Sequence, residues 1–162
     1  MKKYDLIFGT TGSGKSTLAE QYPDSYVDGD GLLQWPDRDM WWDSPTAEDV
    51  KLVSGHIDRL LDMARTESRT ILYCPSSSAL AISYPRLRRS KIAILNVNHR
   101  DLIRNMKSRE QDTIAIREKY GDAARTQPID VDHAMSHQKK LDVMFPDSDI
   151  LTINDLEKLA RE

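Results

Sequence analysis

Gly9-Thr10-Thr11-Gly12-Ser13-Gly14-Lys15-Ser16, directly after the apolar run Tyr4–Phe8, decides how the rest of this chain is read. It fits the pattern G-x-x-x-x-G-K-[ST] in full and lies where that pattern's mechanism needs it, between a predicted strand and a predicted helix. Glycines let the backbone wrap a phosphate with its N–H groups pointing inward, and the start of the following helix adds positive potential. In such a cradle Lys15 reaches the β- and γ-phosphates and the Ser16 hydroxyl binds Mg²⁺. A glycine-rich turn that binds nothing is the plain alternative, and the strand–turn–helix context weighs against it. The expected ligand is a nucleoside triphosphate, ATP, held by Gly12, Ser13, Gly14, Lys15, Ser16 and Thr17.

Outward from this turn, short apolar runs alternate with longer amphipathic ones. The runs Tyr4–Phe8, Tyr26–Val27, Thr70–Cys74, Lys91–Leu95 and Asp149–Ile153 are bounded by Gly, Pro, Asp or Asn, which suits buried parallel strands. A helix from Gly14 to Tyr22 is stopped by Pro23, and the next is announced by Ser44 as cap and Pro45 at its first position. Its residues Val50, Val53, Ile57, Leu60, Leu61 and Ala64 form one helical stripe. Asn98 with Asp101 opens a further helix through Leu102, Ile103 and Met106, and Asn154 with Glu157 caps a last one containing Leu156 and Leu159. Alternating strands and helices predict an α/β fold with a five-stranded parallel sheet covered on both faces.

Composition sets the frame. The chain has 162 residues, 39% hydrophobic and 30% charged, which predicts one soluble domain over 1–162 with a core that needs no metal or disulfide. No stretch approaches the roughly 18 apolar residues of a membrane span, and MKKYDLIFG, which includes Asp5, does not read as a signal peptide. The single cysteine, Cys74, predicts a reducing, cytoplasmic setting. A net charge of -3 gives no global attraction to nucleic acid but leaves room for a local basic stripe. Nothing in the sequence points to an oligomeric state.

The cradle does not separate a kinase from an ATPase or GTPase. The turn after the second strand, Tyr26-Val27-Asp28-Gly29-Asp30-Gly31, adds two carboxylates one residue apart, both aimed at the γ-phosphate region. One orders Mg²⁺ while the other accepts a proton from an attacking hydroxyl. An Asp/Gly-rich turn without function is the plain alternative.

These features, with Cys74-Pro75-Ser76-Ser77-Ser78-Ala79-Leu80 followed by Tyr84, Arg86, Leu87 and Arg88, resemble small P-loop kinases of the gluconate, shikimate, adenylylsulfate and polynucleotide kinase group. In gluconate kinases a comparable turn and a Cys-Ser-Ala-Leu segment occupy the same order. The resemblance implies the three-layer P-loop NTPase fold with a helical lid, and transfer from ATP to a hydroxyl. Asp30 is then the base and Asp28 lies nearer Mg²⁺. It implies that Arg109 begins a lid over about 109–128, with Arg117 and Arg125 as further arginines for the phosphates. The third strand departs from nucleoside monophosphate kinases and many ATPases: it ends in Cys74-Pro75 where they carry Asp. Mg²⁺ is left to Ser16, phosphate oxygens and water.

The acceptor is read from what surrounds Asp30. Trp35, Trp41 and Trp42 lie within twelve residues after it, beside Arg38, so that Trp41 stacks a nucleobase and Arg38 pairs an acceptor phosphate, or the indoles simply pack the segment onto the domain. Arg86-Leu87-Arg88-Arg89-Ser90-Lys91 either tracks a nucleic-acid backbone or is a solvated face, and Arg100, Arg104 and Lys107 extend the same surface. The preferred acceptor is a hydroxyl on a nucleotide or nucleic acid. The runner-up is a small sugar acid, and the competing class is an NTPase with no acceptor. His133 and His137, at i and i+4, lack a third metal ligand, and Cys74 has no neighbouring His in sequence; both read as structural.

Overall fold

The computed structural model describes residues 2–10, 12–29, 44–75, 86–107 and 131–162. Five strands form one all-parallel sheet: β1 (Leu6–Phe8), β2 (Tyr26–Asp28), β3 (Thr70–Tyr73), β4 (Ile92–Leu95) and β5 (Asp149–Leu151), in the spatial order β2-β3-β1-β4-β5. The central strand β1 is paired on both sides, with Leu6 opposite Ile71 and Ile92 and Phe8 opposite Tyr73 and Ile94. Every residue of β1, β3 and β4 is buried, which explains why these runs are apolar apart from Thr70, whose hydroxyl donates to the Tyr4 carbonyl at 2.8 Å.

The pleat divides the core in two. Leu6, Phe8, Ile71, Tyr73, Ile92 and Ile94 face one side, where α2 (Ala47–Thr66) lays Val53, Ile57, Leu60, Leu61 and Ala64 against them. Ile7, Leu72, Ala93 and Leu95 face the other, with Leu18 of α1 (Lys15–Gln21), Leu102 of α3 (described over 99–107) and Leu156 of α5 (Ile153–Arg161). Helix α4 (Val131–Met144) contributes Leu141 to the first cluster and Ala134 to the second. The predicted α/β architecture with five parallel strands is therefore present, with helices on both faces.

Two helix starts differ from expectation, in the same way. Helix α2 is capped not by Ser44 with Pro45 but by Thr46: its hydroxyl accepts from the Asp49 N–H at 3.2 Å while Asp49 accepts from the Thr46 N–H at 2.8 Å. Helix α5 is capped not by Asn154 with Glu157 but by Thr152 with Asp155, so Ile153 is helical and β5 ends at Leu151. In both cases a threonine with Asp three residues on satisfies the reciprocal bonds usually made with Glu or Gln. Helix α4 has no counterpart among the predicted helices. Asn98 and Asp101 do cap α3, with the Asp101 N–H donating to Asn98 Oδ1 at 2.8 Å.

Candidate phosphate-binding site

The chain leaves β1 toward the β2 edge of the sheet and leaves β4 toward the β5 edge. Their adjacent C-terminal ends thus form the switch point at which open α/β sheets hold ligands. The glycine-rich loop lies there. The Gly9 N–H continues the β1–β3 ladder by donating to the Tyr73 carbonyl at 3.1 Å, after which the chain turns with Ser13 N–H donating to the Thr10 carbonyl at 3.2 Å. Gly12 and Gly14 both take positive φ, 74° and 93°, and Gly14 is the left-handed N-cap of α1. An L side chain strongly disfavours that conformation, so Gly14 is what allows loop and helix to join this tightly.

Helix α1 opens with no side-chain cap, whereas α2 and α5 both carry full capping boxes. Its first intrahelical bond is Leu18 N–H to the Gly14 carbonyl at 3.0 Å, so the N–H groups of Lys15, Ser16 and Thr17 have no carbonyl of the preceding helical turn to meet. Lys15 is buried and folds back over the loop, donating to the Thr10 carbonyl at 2.8 Å and to Ser13 Oγ at 3.2 Å. Backbone donors, a helix start and an ammonium group converge here, a donor set that fits a polyphosphate.

Ser16 Oγ donates to Asp28 Oδ2 at 3.0 Å, joining the start of α1 to the end of β2 across the end of β3. The two side chains paired by the sequence reading as Mg²⁺ ligands are thus adjacent, and their hard oxygens fit Mg²⁺. They would supply part of its shell only: among the described residues no group of three or more His, Cys, Asp or Glu is placed to hold a metal ion. The backbone stays close to β3 through Gly29, whose N–H donates to the Leu72 carbonyl at 2.7 Å. Asp30, Arg38, Trp35, Trp41, Trp42, Arg109, Arg117 and Arg125 lie outside the described residues.

Around the loop stand contacts that no motif announces. From α3, Asn105 Nδ2 donates to the Gly12 carbonyl at 2.7 Å, and the Met106 side chain packs over Gly12. From α4, His137 meets Thr10 Oγ1 through Nδ1 at 3.2 Å and the Pro75 carbonyl through Nε2 at 2.6 Å. Cys74 Sγ is 3.9 Å from the same Nδ1, so Cys74, which has no histidine near it in sequence, has one through the fold. His137 is 127 residues from Thr10, a separation that leaves no local signal in sequence.

The basic stretches do not form one surface. Arg86-Leu87-Arg88-Arg89-Ser90-Lys91 precedes β4, and the Lys91 carbonyl accepts from the N–H groups of Asp5 and Leu6 at the start of β1. These residues are at the end of the sheet opposite the loop. Arg86 is also engaged by Asp58 and Ser54 of α2, and Leu87 is fully buried. Arg100, Arg104 and Lys107 follow β4, at the loop's end of the sheet; all three are exposed, and Arg104 pairs with Asp101 at 2.9 Å.

No helix among the described residues is long and apolar enough to cross a membrane. Compared with known proteins, the chain matches no family model and has no significant match among curated sequences.

Proposed function

We propose that this chain is an ATP-dependent phosphotransferase of the P-loop kinase type, moving the γ-phosphoryl group to an acceptor hydroxyl. The observation that carries the proposal is the bond from Ser16 to Asp28, which puts a hydroxyl and a carboxylate together beside an uncapped helix start and a folded-back lysine. The residues of the loop bind and orient the triphosphate: N–H groups from Gly12 to Thr17 surround it, and Lys15 exchanges its loop acceptors for phosphate oxygens. Ser16 and Asp28 would hold Mg²⁺, which supplies charge neutralisation on the β- and γ-phosphates. From the resemblance, Asp30 takes the proton from the acceptor hydroxyl and Arg109 neutralises charge on the transferring group.

For the acceptor we favour a hydroxyl on a nucleotide or nucleic acid. Support comes from Arg38 and the tryptophans that follow Asp30 in sequence, and from Arg100, Arg104 and Lys107 at the loop's end of the sheet. Arg86–Lys91, at the other end, lends it nothing.

The test follows γ-labelled ATP with Mg²⁺ against nucleosides, nucleoside monophosphates, hydroxyl-ended and hydroxymethyl-bearing DNA, RNA and sugar acids. Label is expected on a nucleotide or nucleic-acid hydroxyl and is lost in Lys15→Ala and Asp30→Asn. Label on a sugar acid would retain the kinase and replace the acceptor. Release only as free phosphate, unchanged by any acceptor and by Asp30→Asn, would replace the kinase with an NTPase.

A further inference from the structure

We propose that His137 is a positioning residue for the phosphate loop: it anchors Thr10 and thereby holds the turn around which Ser13 and Lys15 are arranged. The proposal builds on the nucleotide reading above. Three contacts meet at this ring, to Thr10 Oγ1 at 3.2 Å, to Cys74 Sγ at 3.9 Å and to the Pro75 carbonyl at 2.6 Å. A carbonyl oxygen only accepts, so Nε2 carries a proton and donates to Pro75. In the neutral ring Nδ1 is then an acceptor, and the Thr10 hydroxyl donates to it.

Thr10 is fully buried and is the hub of the loop. Its carbonyl accepts from Lys15 Nζ at 2.8 Å and from the Ser13 N–H at 3.2 Å. A β-branched side chain has little freedom about χ1, so holding its hydroxyl holds the backbone to which it is attached. His137 therefore ties three separate pieces together: helix α4, the end of β3 and the turn that seats Lys15.

The experiment measures ATP·Mg²⁺ affinity and melting temperature in the full chain. Thr10→Val and His137→Gln are each expected to weaken binding roughly tenfold, about the worth of one buried hydrogen bond. Because both remove the same contact, the double variant is expected to bind no worse than the weaker single one. Thr10→Ser keeps the hydroxyl but loses the stiff χ1, and should bind more tightly than Thr10→Val. His137→Asn places an amide oxygen near the position of Nδ1 and should retain most of the affinity, whereas His137→Gln reaches Pro75 instead and should not. A merely structural role would lower melting temperature and affinity alike in both amide variants, and that result would overturn the proposal. Additive losses in the double variant, or full affinity in Thr10→Val, would overturn it too.

Lys15→Ala separates the two levels. Binding by the unaltered protein that Lys15→Ala abolishes upholds the nucleotide reading whatever His137 does. No binding at all removes that reading and this role with it. If Thr10→Val fails to fold, the imidazole nitrogen spectrum of the unaltered protein decides: a proton on Nε2 supports the anchor, and a ring whose only proton is on Nδ1, which cannot donate to the Pro75 carbonyl, overturns it.

Discussion

Gly14 begins α1 at φ 93°, where the Cβ of an L residue crowds its own backbone at a cost of about 1–2 kcal/mol. Gly14→Ala is accordingly expected to lower the free energy of unfolding in urea by about that amount. It should also misdirect the N–H groups that follow and so weaken ATP binding. A fully stable Gly14→Ala would show that the loop has another way round the turn. Gly29 is required for a different reason: a Cβ there would stand 2.9 Å from the Leu72 carbonyl. For Asp28, the exchange to Asn keeps shape but removes the charge facing Ser16, so the Mg²⁺ concentration needed for half-maximal activity should rise at least tenfold. An unchanged Mg²⁺ dependence would remove Asp28 from the metal's shell. At this scale the sequence was most informative where the proposed function has a local pattern. Lys15, Ser16 and the strand-end Asp28 are visible because spacing and chain position define them, whereas Thr10–His137 and Asn105–Gly12 join residues that only the tertiary fold brings together.

Two helices of this protein, α2 and α5, start at threonines. Removing the Thr46 hydroxyl leaves the Asp49 N–H without its acceptor, and removing that of Thr152 does the same to Asp155. Thr46→Ala and Thr152→Ala should each lower stability by about 1 kcal/mol in denaturant titrations, with no change in ATP affinity. A loss of affinity in either would mean that these helix starts reach the site. The α2 stripe was readable because Val53, Ile57, Leu60, Leu61 and Ala64 recur at helical spacing and are buried, whereas Val50, read as part of the same stripe, lies exposed in the first turn. Its first turn was not, since Ser44-Pro45 and Thr46 offer neighbouring start signals and only the reciprocal bond chooses between them. Helix α4 escaped because Asp132, Lys139, Lys140 and Asp142 dilute its apolar positions, which are divided between the two cores rather than gathered in one stripe.

Across the whole molecule, two phenols tie the sheet to the chain's last elements: Tyr4 to Asp149 of β5 at 2.6 Å and Tyr26 to the Leu156 carbonyl of α5 at 2.6 Å. Burial, reinforced for Tyr4 by the bond to the Asp149 carboxylate, pushes both up to about 12 from an ordinary 10.0. The folded state therefore keeps protons that the unfolded chain gives up. Their contribution is complete below pH 10 and is lost as the pH rises toward 12. Stability should fall over that window, and fall less steeply when both tyrosines are replaced by Phe; equal slopes would contradict the shared shift. The number and kind of strands could be read from apolar runs, but not the order β2-β3-β1-β4-β5, which is a matter of which edges meet. That order separates Arg86–Lys91 from Arg100–Lys107 and brings the loop, Asp28 and His137 to one end. The claim on which all else rests is that this end holds a triphosphate. Calorimetric titration of the full chain with ATP and Mg²⁺, beside Lys15→Ala, tests it most directly. Saturable one-to-one binding that Lys15→Ala weakens at least a hundredfold is the predicted result; equal heats from the two proteins, or none from either, would contradict it.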